Sequence, residues 1–177
     1  MAMWQRLGRF LDTRLGASVS RLSRPLVNWS TRLIPAPRLE REVPWTPLAK
    51  PLPECRVAVV TTAGVYLEGQ EPFDVAASKG DPSFRILPSD LDPADLRVAH
   101  EHYPHRYVDE DGEVVLPVAR LRELEAAGVL RLAPRWAGFG FGGMLTAEYI
   151  DRRSGTAWEL ARILGEDEVD LALLVPA

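Results

Sequence analysis

The stretch that decides the fold is Cys55-Arg-Val-Ala-Val-Val-Thr-Thr-Ala-Gly64. Its continuous β-branched and apolar run is typical of a strand that is buried on both faces of a parallel sheet. A second such run, Val169-Asp-Leu-Ala-Leu-Leu-Val-Pro176, follows a helix-like segment. A strand, a crossover, a helix and another strand are the units of an α/β fold. The sequence therefore predicts a partial, mostly parallel, Rossmann-like sheet, in which strands 56–61 and 170–175 are central and run in the same direction.

Weaker signals predict the remaining elements of the body. We expect three short strands, near residues 84–87, 96–99 and 114–116. Pro117 at the start and Gly128 just past the end mark a helix between them. A last helix is predicted before the second strand, with Thr156 and Glu159 as a capping box and Gly165 as its C-cap.

The bulk composition is ordinary for a folded domain, with 177 residues of which 46% are hydrophobic and 26% charged. A single cysteine, Cys55, excludes an internal disulfide and a zinc site built on several thiolates. The net charge of −4 gives no reason to expect nucleic acid as a partner. No apolar run is long enough to span a bilayer, and arginines interrupt the stretch where a secretory signal would lie. We therefore expect a cytoplasmic protein.

Charge and proline content divide the chain into three expected parts. Residues 1–34 carry leucines at helical spacing with arginines between them, which predicts a basic amphipathic helical arm. Residues 35–54 are rich in proline and predict an extended linker. Residues 55–177 form the α/β domain. We interpret the apolar stripe of the arm as packing on protein, and contact with an anionic membrane surface is the alternative.

The end of the first strand is a candidate binding site, because ligands of open parallel sheets bind beyond the carboxyl ends of the strands. The hydroxyls of Thr61 and Thr62 and the neighbouring backbone N–H groups suit a carboxylate, and Gly64 permits its close approach. An ordinary turn between strand and loop is the alternative interpretation of this segment.

The three histidines of the chain, His100, His102 and His105, fall in one short stretch. At strand spacing His100 and His102 share a face, and imidazoles titrate near neutral pH, so both are candidates for general acid or base. A metal site completed by Glu101 or His105 is a weaker alternative, and structural hydrogen bonds are another. We predict no metal here.

Two further segments contain many turn residues. In Gly80-Asp-Pro-Ser-Phe-Arg85, Asp81 and Arg85 are polar candidates, and the arginine suits a substrate carboxylate. Gly138–Gly143 matches the dinucleotide-binding glycine spacing, but the next clear strand does not end in an acid, so we reject a nucleotide site. We interpret residues 137–143 as a glycine-rich loop that is able to act as a lid.

Read in order, these blocks resemble the selenoprotein B family of glycine, sarcosine, betaine and D-proline reductases. The resemblance covers about residues 44–177, and residues 1–43 show no match. It is carried by these segments: Pro44-Trp45, Lys50-Pro-Leu52, Cys55–Gly64, Gly80–Arg85, His100-Glu-His-Tyr103, Leu116-Pro117, Arg120–Leu124 and Ala133-Pro-Arg135.

The resemblance implies an oxidoreductase that reductively cleaves a C–N bond of a small amine or amino acid, with electrons from a dithiol. Its enzyme class is named for the reverse direction, in which a disulfide is the acceptor. It implies no cofactor in this chain, a pyruvoyl group on a partner subunit and a thioredoxin-like reductant. Together with the strand-end rule, it implies that His100 and His102 are catalytic and that six residues bind substrate: Thr61, Thr62, Gly64, Asp81, Arg85 and Tyr103.

In this family the strand that matches Asp170–Pro176 is followed by selenocysteine or cysteine, two residues, and a cysteine. We therefore expect the nucleophile just after Ala177, with the site residues converging beside it. We also expect a UGA codon there that is read as selenocysteine, so that the 177 residues are a truncated reading; a true stop codon is the alternative. The alternative function is a non-catalytic α/β module that binds a small carboxylate or a partner subunit.

Overall fold

The computed structural model describes residues 46–77, 80–100, 103, 105–140 and 155–176. The chain divides into two units, Met1–Pro47 and Leu48–Ala177, and the described fold is that of the second. The helical arm expected at residues 1–34, and the linker up to residue 45, lie outside the described residues. Within the part that is described, no helix has the length and apolar character needed to cross a membrane.

The described part of the body is a mixed α/β unit with seven strands and three α-helices. Its elements in chain order are β1 (Arg56–Thr61), β2 (Val65–Leu67), β3 (Phe84–Pro88), β4 (Leu96–Val98), α1 (Arg106–Glu110), α2 (Val118–Ala126), β5 (Arg131–Leu132), β6 (Arg135–Phe139), α3 (Thr156–Glu166) and β7 (Leu171–Val175). Short 3-10 turns lie at Leu52–Glu54, Pro93–Asp95 and Gly112–Val114.

β1 is the centre of the main sheet. β5 and β6 pair in parallel with successive halves of one side of β1, and β7 pairs in parallel with the other side. β3 lies antiparallel beside β6, and β2 and β4 form a separate antiparallel ribbon. The predicted α/β fold with a mostly parallel sheet is therefore confirmed, as is the common direction of the two strands. The central position expected for the second strand is wrong for the described residues, because β7 has a strand neighbour only at β1.

The hydrophobic core forms around β1, as its sequence predicts. Val57, Ala58 and Val59 are buried, and so both faces of this strand are covered. On β6, Trp136 is fully buried, and α2 contributes Val118 and Leu121 to the same core. Burial of a valine or leucine side chain is worth about 1.5–3 kcal/mol, so the buried valines of β1 contribute substantially to the stability of the sheet.

The strand expected at 114–116 is wrong, since a 3-10 turn covers Gly112–Val114. The Asp111 carboxylate accepts a hydrogen bond from the Glu113 N–H (2.9 Å), which closes this turn. The Glu113 carboxylate then accepts from the N–H of Ala119 (2.8 Å) and so caps the first turn of α2. Side-chain bonds of this kind offer the backbone an alternative to a strand ladder.

The observed end of α2 agrees with the predicted capping residue, whereas both ends of α3 differ from the prediction. Gly128, with φ +70°, ends α2 as predicted, and the N–H of Val129 bonds back to the carbonyl of Leu124 (2.9 Å). The capping box expected at the start of α3 is wrong, because the Thr156 hydroxyl donates instead to the Pro82 carbonyl (2.9 Å). Gly165 lies inside α3, and Glu168 takes the left-handed position after the helix (φ 54°).

Part of the predicted glycine-rich loop is strand. Residues 137–139 belong to β6, paired with β1 on one side and β3 on the other. Residues 141–143, and with them the expected lid, lie outside the described residues.

Candidate functional site at the carboxyl end of β1

The turn after β1 is closed by its own hydrogen bonds. The Thr61 side chain is buried, and its hydroxyl accepts from the N–H of Ala63 (3.2 Å). The N–H of Thr62 donates to the carbonyl of Val175 in β7 (3.1 Å), and that of Gly64 donates to Phe139 in β6 (2.9 Å). The expectation that these backbone N–H groups hold a carboxylate is therefore wrong, because each donates within the chain. Thr62 is the exposed threonine of the pair.

Gly64 joins three chain segments at this point. Its φ of +68° is left-handed, and a Cβ placed on it would lie 2.3 Å from the Ala99 carbonyl oxygen. Its own carbonyl accepts from the N–H of Ala99 (2.9 Å). Only glycine combines this conformation with so close a backbone approach. The ends of β1, β4 and β6 therefore meet around Gly64.

An aromatic cluster covers this junction. His100 is buried, and its ring centre lies 4.6 Å from that of Tyr103, whose ring lies 5.1 Å from that of His105. The Tyr103 hydroxyl donates to the carbonyl of Ala63 (2.8 Å). A ring nitrogen of His105 contacts the carbonyl of His100, and it donates there in the tautomer that carries its proton. We call His100, Tyr103 and His105 the aromatic cluster.

The Tyr103 hydroxyl is held in its protonated form. Burial, with a smaller contribution from the negative charge of Asp109, raises the pKa of Tyr103 to about 12. The hydroxyl therefore remains a donor at physiological pH, and its bond to the Ala63 carbonyl ties Tyr103 to the end of β1.

The other half of the predicted histidine pair lies outside the described residues. His102, Glu101 and Ala177 are not described, so the shared face of His100 and His102 and the convergence beside Ala177 stay predictions. Among the residues that are described, no group of three or more His, Cys, Asp or Glu side chains is placed to hold a metal ion.

Arg85 is engaged by the loop that precedes β3. Its guanidinium donates to the carbonyl of Glu71 (2.7 Å) and to the Ser83 hydroxyl (2.9 Å). The same group lies 4.6 Å from the centre of the Phe73 ring, in a cation–π contact. These partners give Arg85 a structural role in the loop, and the predicted substrate clamp stays a prediction.

Asp81 closes the same loop. Its carboxylate accepts from the Ser83 hydroxyl (2.5 Å) and N–H (2.9 Å) and from the N–H of Asp74 (2.9 Å). Burial alone would raise the pKa of Asp81, but these hydrogen bonds, together with the charge of Arg85, outweigh it and hold that pKa below its ordinary value. Asp81 is therefore a charged acceptor that orders the loop.

The loop and the aromatic cluster meet the sheet at the same end. The N–H of Gly140 donates to the Ser83 carbonyl (3.1 Å), while the Phe139 carbonyl one residue earlier accepts from Gly64. A Cβ on Gly140 would lie 2.6 Å from the Asp81 carbonyl oxygen. Phe139 and Gly140 thus connect the two groups. Neither this link nor the ring contact between Tyr103 and His105 was predicted from the sequence, although a glycine at position 140 is a signal of close backbone approach.

Comparison with known proteins identifies the family of this chain. The family model described as glycine/sarcosine/betaine reductase selenoprotein B matches residues 28–176. The chain belongs to this family. The resemblance seen in the sequence is confirmed, and the family match extends beyond it to residues 28–43.

Two curated relatives carry the names of reductase subunits. D-proline reductase subunit gamma of Acetoanaerobium sticklandii is 37% identical over 131 residues, which are 73% of this chain and 52% of the relative. Glycine reductase complex component B subunit gamma of Symbiobacterium thermophilum is 31% identical over 144 residues, 79% of this chain and 32% of that protein. The chain thus spans about half or less of the length of these relatives. No solved structure matches the chain.

The surroundings of Cys55 show whether its thiol has the character of a reactive group. Cys55 is fully buried, and its Sγ contacts the carbonyls of Lys50 and Pro51, each at 3.5 Å. Reactive cysteines are low in pKa and partly exposed, whereas buried ones are inert. The burial of Cys55 therefore indicates a packing role in the core and not a reactive thiol.

Proposed function

We propose that this chain is part of a reductase subunit that takes part in reductive cleavage of the C–N bond of a small amine or amino acid. The proposed site is the carboxyl end of β1. The observation that carries the proposal is the family match over residues 28–176, together with the grouping of Gly64, His100 and Tyr103 at this strand end. Strand ends of this kind are where α/β sheets bind ligands.

The proposed reaction breaks the C–N bond and forms a C–H and an N–H bond. Two electrons come from a dithiol of a thioredoxin-like protein, and this dithiol is oxidised to a disulfide. A selenolate or thiolate is the nucleophile, since the anion is the reactive form. Because Cys55 is buried and is the only cysteine, this nucleophile comes from a residue outside these 177 residues. A selenocysteine codon after Ala177 stays a prediction that the genomic sequence tests.

The roles of the described residues follow from their surroundings. His100 exchanges a proton with the substrate nitrogen or carbon, because imidazole titrates near neutral pH. Tyr103 keeps His100 in place through ring contact and through its bond to Ala63. Thr62, exposed at the same strand end, contacts the polar end of the substrate. His102 is assigned to catalysis, and Asp81 and Arg85 to substrate binding, on the family resemblance alone.

The pyruvoyl group is proposed for a partner subunit, where it holds the substrate amine, and no described residue of this chain is assigned to it.

The relatives supply the first substrates to test. One is named for D-proline and others for glycine, and the D-proline relative has the higher identity. D-proline is therefore the first choice and glycine the second. The cytoplasmic location expected from the sequence stays a prediction.

The proposal is tested with the tagged chain purified from its native cells together with its bound subunits. The assay supplies dithiothreitol with D-proline, glycine, sarcosine or betaine, and measures the reduced product and substrate-dependent oxidation of the dithiol. We expect turnover of at least one substrate, with a large loss in a His100→Asn complex and none in a Tyr66→Phe complex. Absence of turnover with all four substrates would contradict the proposal.

The burial of the single cysteine favours one alternative, a non-catalytic module that binds a carboxylate or a partner subunit. That function predicts binding of substrate or subunit without oxidation of the dithiol. Isothermal titration with the same four substrates, done beside the turnover assay, separates the two functions.

A further inference from the structure

β7 combines the composition of an interior strand with a surface position. Its sequence, Leu171-Ala-Leu-Leu-Val175, is typical of a strand that is covered on both faces. Yet Leu171 is 40% exposed, Leu173 39% and Leu174 69%. Alternate residues of a strand point to opposite faces, so Leu173 and Leu174 expose both faces of β7 to solvent.

The outer edge of β7 is open as well, as far as the described residues go. β1 pairs with one side of β7, and the paired residues run from Val57 with Leu171 to Thr61 with Val175. No second described strand pairs with β7. An edge of this kind presents unpaired backbone N–H and C=O groups, which readily pair with another polypeptide segment.

Other edges of the sheet are closed by side chains. At β5 the Glu125 carboxylate accepts from the N–H of Leu132 (2.7 Å). At β3 the Gln70 amide donates to the carbonyl of Ile86 (2.9 Å) and accepts from the N–H of Leu67 (2.9 Å). Polar and charged groups at an edge protect it from unwanted pairing. β7 has no charged or polar side chain between Leu171 and Val175.

β7 is firmly attached to the body at both ends. Before the strand, Asp170 accepts from the N–H of Arg56 (2.9 Å) and pairs with the Lys50 ammonium (2.8 Å). After it, the Val175 carbonyl accepts from the N–H of Thr62 (3.1 Å). The exposure of its leucines therefore belongs to the folded body, and fraying of the strand does not explain it.

We propose that the open edge of β7 docks the polypeptide that forms the part of selenoprotein B proteins that this chain does not match. The matched region makes up 52% of D-proline reductase subunit gamma and 32% of the Symbiobacterium relative, so each relative carries a long remainder. That remainder adds a strand beside β7 and covers Leu173 on one face and Leu174 on the other. The inference rests on family membership and is independent of the proposed activity.

A covalent chimera tests this docking. The unmatched part of D-proline reductase subunit gamma is joined to this chain in the order that it has in the relative, and hydrogen exchange is followed by mass spectrometry. We expect the backbone amides of residues 171–175 to exchange about tenfold more slowly, or slower still, than in the free chain.

A Leu174→Asp chimera and a matched control complete the experiment. Leu174 is exposed in the free chain, so aspartate leaves the unfolding midpoint of the free chain unchanged. In the chimera it returns the exchange of β7 to the rate of the free chain. Val114, 53% exposed in the turn before α2, is the control, and Val114→Asp leaves the protection of β7 intact.

Equal exchange of β7 in the chimera and the free chain would overturn the proposal, as would protection that Leu174→Asp does not reduce. Protection of β7 in the free chain that rises with concentration, with a dimer seen by sedimentation, would overturn it too and assign the edge to a second copy. If the chimera does not unfold cooperatively, the remainder is added to the free chain as a separate polypeptide, and absence of protection there also overturns the proposal.

Discussion

Replacing Gly64 with alanine tests the close packing at the carboxyl end of β1. Gly64 has a φ of +68°, in the left-handed region that costs other residues about 1–2 kcal/mol. The new Cβ would also lie 2.3 Å from the carbonyl oxygen of Ala99. That oxygen belongs to the backbone, so a change of side-chain rotamer cannot relieve the clash.

The chain can relieve the clash only by separating Gly64 from Ala99. This movement weakens the bond from the N–H of Ala99 to the Gly64 carbonyl, and it strains the bond from the Gly64 N–H to Phe139; both are 2.9 Å long. A hydrogen bond of this type contributes about 1 kcal/mol net. We therefore expect Gly64→Ala to lower the free energy of unfolding by about 2–4 kcal/mol, a large part of the stability of a small domain.

Gly128→Ala is the matched control, because Gly128 has nearly the same φ (+70°) and a Cβ there meets no atom within 4 Å. It retains the backbone cost of about 1–2 kcal/mol and lacks the clash. Urea unfolding followed by tryptophan fluorescence measures both variants. If Gly64→Ala costs no more than Gly128→Ala, the close approach to Ala99 does not constrain the folded protein and the reasoning is refuted.

Two further predictions concern single side-chain contacts. Asp167→Asn removes the carboxylate that accepts two bonds from Arg135 (2.7 and 2.8 Å) and is expected to lower stability at neutral pH. Hydrogen bonding to Arg135 holds the pKa of Asp167 below its ordinary value, so this stabilisation is present above about pH 4 and is lost as the pH falls through the folded-state pKa. Urea unfolding from acid to neutral pH checks this, and a difference that persists in strong acid would contradict it. Tyr103→Phe leaves the buried Ala63 carbonyl without its hydroxyl donor and is expected to lower the free energy of unfolding by about 1–2 kcal/mol. Tyr107→Phe, at an exposed position, is the control and leaves the thermal midpoint unchanged. Equal midpoints for the two variants would count against the Tyr103 bond.

The main elements of the fold were predictable because their signals are local. The apolar run of β1 and the glycine after α2 are patterns of a few adjacent residues. Residues 114–116 have a strand-like composition too, but Asp111 and Glu113 use their carboxylates to close a 3-10 turn and cap α2. Composition alone does not distinguish these outcomes, since the decisive hydrogen bonds join side chain to backbone.

The candidate site was predictable only in part. The strand-end rule pointed to Gly64, and the three clustered histidines pointed to His100. The hydrogen bond from Tyr103 to Ala63 spans forty residues of sequence and depends on how β4 returns to β1. Arg85 is an instructive case, because an arginine in a turn-rich segment suits an anion, yet its guanidinium donates to a carbonyl of its own loop. Sequence reveals which donors exist, but the fold determines their partners.

The disagreement at β7 is of another kind. Its composition predicts burial on both faces, and the described body leaves Leu174 mostly exposed. For β1 the same kind of composition goes with burial, so the pattern itself is a sound guide in this protein. β7 has the sequence of a strand that is buried on both faces, but the described residues leave it exposed. This mismatch indicates that another polypeptide segment covers β7. The contrast between the two strands locates the expected contact at one edge of one strand, and it makes Leu174 the residue whose substitution distinguishes a docking edge from a solvent-exposed one.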